Sequence, residues 1–70
     1  MIIPTIPDDL EDALKEFEWG IPTIDEMPLE YRRRAFLFIE QSGNAPTRSF
    51  RINNFVEVVK FFHQDSLVNP

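Results

Sequence analysis

The chain has no cysteine and a single histidine, His63, so neither a disulfide nor a cysteine- or histidine-rich metal site can hold its seventy residues together. A domain this short hides only about 60% of the surface of its unfolded chain, which leaves a thin core. A partner chain, as homo-oligomer or complex, is the supplement left. With 43% apolar residues and seven Phe, the chain is separate from disordered sequences. Residues 1–70 read as one small domain, with frayed ends at 1–4 and 66–70.

Charge is divided unevenly along the chain. Residues 1–30 hold nine of the twelve acids against Lys15 alone, a balance of −8, whereas residues 31–70 hold six basic residues against three acids, a balance of +3. The total of −5 disfavours nucleic acid as a partner of the whole molecule but permits a local basic patch. Met1-Ile2-Ile3-Pro4 lacks the basic start of a signal peptide. The longest apolar run, Ala35–Ile39, falls far short of the ~20 residues that span a bilayer. The expected location is the cytoplasm, with no membrane partner.

Hydrophobic spacing predicts a small all-α domain of three helices. The first is expected from Asp8 to Trp19, where Leu10, Ala13, Leu14 and Phe17 form one stripe and Asp9, Asp12 and Glu16 the opposite face. Glu11 and Lys15 make a favourable i,i+4 pair. Gly20 is read as a left-handed stop and Pro22 as a block, which leaves 21–27 as a connector. A second helix is expected from Pro28 to Gln41. A turn at Ser42–Pro46 leads to a third helix starting near Asn54. Ile3-Pro4-Thr5-Ile6 recurs as Ile21-Pro22-Thr23-Ile24, and Thr5, Thr23 and Asn54 each stand three residues before an acid, the spacing of a capping box. Ala35–Ile39 shows no period. The rival fold is therefore α+β, with a β-hairpin over about 34–52 between two helices.

The pattern does not favour an enzyme or a cofactor site. His63 is the only base that titrates near neutrality, and on a helix near the C-terminus it reads as a surface or dipole partner. With two glycines there is no phosphate loop. The acidic run Asp8–Asp12 lacks the alternating oxygens and mid-loop glycine of a calcium loop.

Two features remain as candidate sites. The first is basic: Arg32, Arg33 and Arg34, joined by Arg48 and Arg51, could contact phosphate. Three consecutive helical residues point ~100° apart, however, and the acidic helix is available to neutralise them, so pairing within the fold is the leading expectation. The second is apolar. Phe55, Val56, Val58, Val59, Phe61 and Phe62 ring the third helix, which three short helices cannot fully cover. This predicts a protein interface through Phe55, Val56, Val59 and Phe62, with Trp19 as a further anchor and Asp9, Asp12 and Glu16 steering a basic partner.

The stretch Phe38–Arg48 resembles the segment that joins the first two helices of LexA-type winged helices. That resemblance implies a short helix, a glycine turn and a DNA-recognition helix after it. Here Ser49–Asn54 offers no second glycine turn, and no wing follows.

The function expected from these readings is that of a small, acidic, protein-binding regulator or inhibitor, in the manner of antitoxins and phage-encoded inhibitors, which occupies a partner's surface and can form a homodimer. The rivals are a DNA-binding regulator using the arginines and an accessory structural subunit of a larger assembly.

Overall fold

The structure is a computed structural model that describes residues 6–68. Among these residues there are four helices and no strand: α1 (Asp8–Leu14), α2 (Gly20–Glu26), α3 (Leu29–Glu40) and α4 (Ala45–Val68). The fold is all-α, as the periodicity requires, but it has one helix more than the spacing suggested.

The extra helix is α2, at the position read as a connector. Helix α1 stops at Leu14 rather than Trp19, and residues 15–19 form tight turns in which Phe17 N–H bonds the Leu14 carbonyl and Gly20 N–H the Phe17 carbonyl. Gly20 has no positive φ, so it is not the left-handed stop that the sequence suggested. It is buried and begins α2. A Cβ there would collide with the Leu14 carbonyl oxygen and crowd the Leu14 side chain, so glycine is required for close approach of the two short helices. Pro22 falls in the first turn of α2, where its missing N–H would have had no helical partner.

Pro28 precedes α3, and its carbonyl accepts from Arg32 N–H at 3.0 Å. The proposed hairpin over 34–52 is absent, since residues 34–40 lie in α3 and residues 45–52 in α4. The local cause is Asn44, whose Oδ1 accepts from Thr47 N–H at 2.9 Å and caps α4 nine residues before the start expected at Asn54. Pro46 sits in that first turn, again where a proline costs little. Thr23 and Asn54 lie inside helices and cap nothing, while Thr5 is outside the described residues. Residues 66–68 form the end of α4, and 1–4, 69 and 70 lie outside the described residues. Helix α4 also runs unbroken through Ser49–Asn54, so the turn and second helix implied by the winged-helix resemblance are not there.

Helix α4 packs against all three other helices, and α1 also touches α2. The core draws on each: Leu10 and Leu14 from α1, Ile24 with the following Met27, Phe36 and Ile39 from α3, and Ile52, Phe55 and Val59 from α4. Phe36 meets Phe55 edge-on at 6.2 Å, a preferred aromatic geometry. The molecule measures 38 × 29 × 16 Å. The long dimension is close to the ~36 Å expected of the 24-residue α4.

Gly20→Ala tests the close approach. Overpacking against backbone costs about 1–3 kcal/mol, and the helix propensity of alanine returns at most about 1 kcal/mol of that. The urea midpoint should therefore fall by the equivalent of about 1–2 kcal/mol. An unchanged midpoint would remove the steric reading of this glycine.

Candidate interaction surface

The arginines are answered mostly from within the fold. Arg48 is the most connected. Its Nε donates to Asp9 Oδ2 at 2.5 Å, and its Nη2 donates to Asp9 Oδ1 at 3.0 Å and to Glu40 Oε1 at 2.9 Å. Its Nη1 reaches the Ile39 carbonyl at 3.4 Å. Arg51 donates from Nη1 to the Phe38 carbonyl at 2.7 Å and lies 3.9 Å over the Phe38 ring. Ser42 Oγ donates to the Ile39 carbonyl at 2.7 Å. The last turn of α3 has few backbone donors of its own, Ser42 N–H reaching the Ile39 carbonyl at 3.2 Å, and the negative end of the helix dipole favours the cations there. Arg32 is half-buried, 3.9 Å from Asp25, with its Nε enclosed and unpartnered. Arg33 is exposed, 3.9 Å from Glu30. Arg34 faces the groove described below.

The acidic face is narrower than the sequence implied. Asp12 and Glu16 are exposed, but Asp9 is engaged by Arg48. Hydrogen bonds from that guanidinium hold the Asp9 carboxyl below its ordinary value of 3.8, against a smaller opposing effect of burial. Glu11 and Lys15 pair at 2.9 Å as their spacing predicts.

The apolar interface expected on α4 is rotated. Phe55 and Val59 are core residues, 6% and 0% exposed, and cannot meet a partner, while Val56 and Phe62 are half-buried against the core. The register follows from the true start of α4: Ile52, Phe55 and Val59 point inward, so Val58 and Phe61 point outward. Phe61 is 72% exposed. A start at Asn54 falls nine residues after the true one and leaves Ile52 outside the buried stripe.

These outward residues line a groove between the antiparallel α3 and α4. One section, of about 340 Å³, is bounded by Met27, Pro28, Tyr31, Val58, Phe61, Phe62 and Asp65. The other, of about 510 Å³, is bounded by Tyr31, Arg34, Ala35, Phe38, Arg51, Asn54, Phe55 and Val58. Tyr31 and Val58 border both, so the two sections adjoin. The walls are mainly apolar, with arginine at one end and Asp65 at the other.

Trp19 is half-buried and stacks on Phe17 at 4.6 Å and on His63 at 5.2 Å, nearly parallel to the latter. Thr23 Oγ1, buried in α2, lies 3.5 Å from His63 Nδ1. His63 therefore joins the turn after α1, α2 and α4, a role that its place near the C-terminus did not reveal. Trp19 is committed to that stack and is not a free anchor.

No group of three or more His, Cys, Asp or Glu side chains among the described residues could hold a metal ion, and no helix is long and apolar enough to cross a membrane. The surface offers apolar contact area bordered by charge.

Two outcomes are expected. Because the folded-state pKa of Asp9 is depressed, its contribution is present above the unfolded value of about 4 and is lost as pH falls through the lower folded value. Thermal unfolding of the wild type should therefore drop more steeply below about pH 4 than that of Asp9→Asn, by no more than a few degrees, because both partners are partly exposed to solvent. His63→Ala should red-shift the emission of Trp19, the single tryptophan, and cost about 0.5–1.5 kcal/mol on denaturation. Unshifted emission would contradict the stack.

No known protein family matches the chain, and neither a curated protein nor a solved structure matches it.

Proposed function

We propose that the chain is a small, acidic, protein-binding regulator or inhibitor that acts by occupying the surface of a partner protein, without catalysis. One observation carries the reading: Tyr31, Phe38, Val58 and Phe61 stand exposed along the α3–α4 groove, outside the core that holds Phe36 and Phe55. Burying a large apolar side chain is worth about 1.5–3 kcal/mol, and contiguous exposed residues of this kind mark interaction sites. Asp12 on α1 and Glu16 in the turn after it add a negative field that favours approach to a basic partner. A DNA-binding reading would need Arg48 and Arg51, whose guanidinium groups already serve Asp9, Glu40 and the end of α3.

The test is capture by the immobilised protein from an extract of cells that make it, with retained proteins identified by mass spectrometry. A protein held by the wild type should be lost when Phe38→Ser and Phe61→Ser are combined, two exposed substitutions that leave the core intact. Capture indifferent to both would overturn the reading. So would tight binding to duplex DNA that weakens steeply with salt and disappears with Arg48→Ala and Arg51→Ala.

A further inference from the structure

We draw no further inference here: the strongest candidate, the apolar groove between α3 and α4 along which Tyr31, Phe38, Val58 and Phe61 stand exposed, carries none, because nothing in the structure shows what covers it.

Discussion

Helices α1 and α2 have seven residues each, less than an isolated helix needs to persist in water. Their persistence depends on burial against α4. Leu10, Leu14 and Ile24 reach almost complete burial by meeting the stripe of Ile52, Phe55 and Val59, and Gly20 lets the two short helices approach closely enough to share it. In a molecule only 16 Å across its thinnest dimension, no second layer can compensate if that stripe is disturbed. The polar counterpart is Arg48, which holds Asp9 of α1 and Glu40 of α3 from one guanidinium.

The basic half of the chain is therefore structural before it is anything else. Arg48 and Arg51 close the end of α3 by bonding the carbonyls of Ile39 and Phe38, while Arg32 and Arg33 sit near Asp25 and Glu30. Exposed ion pairs of this kind contribute little individually, so they fix orientation more than they add stability. Arg34, at the mouth of the groove, is the arginine placed to meet a visitor.

Much of this was legible in the residues, and the failures share a cause. The stripe from Leu10 to Leu14, the proline-led start of α3 and the Glu11–Lys15 pair followed from local spacing, and internal pairing of the arginines followed from the charge balance of the two halves. What did not follow was long-range. Gly20 and Pro22 are ordinary punctuation in sequence, and only their distance from Leu14 shows why a helix begins there. Asn44 was an available cap, but it was absorbed into a turn with Gly43 and Pro46. That displaced the start of α4 and with it the register, so Phe55 and Val59 were assigned to the surface and Phe61 was left out of the interface. An apolar helix seen in isolation does not reveal which of its sides the other helices will claim.

The stack of Trp19 on His63 and the clasp of Asp9 by Arg48 have a consequence for the order of assembly. Helices α3 and α4 are joined by a four-residue turn and meet through near neighbours in sequence, whereas the Asp9–Arg48 and Thr23–His63 contacts span 39 and 40 residues. Closing the longer loops costs more chain entropy, so the α3–α4 hairpin is the kinetically local unit and the acidic segment docks onto it. The groove belongs almost wholly to that hairpin. A chain whose first two helices have locally opened would still carry a recognisable binding face, with the acidic half docked onto it only in the closed form.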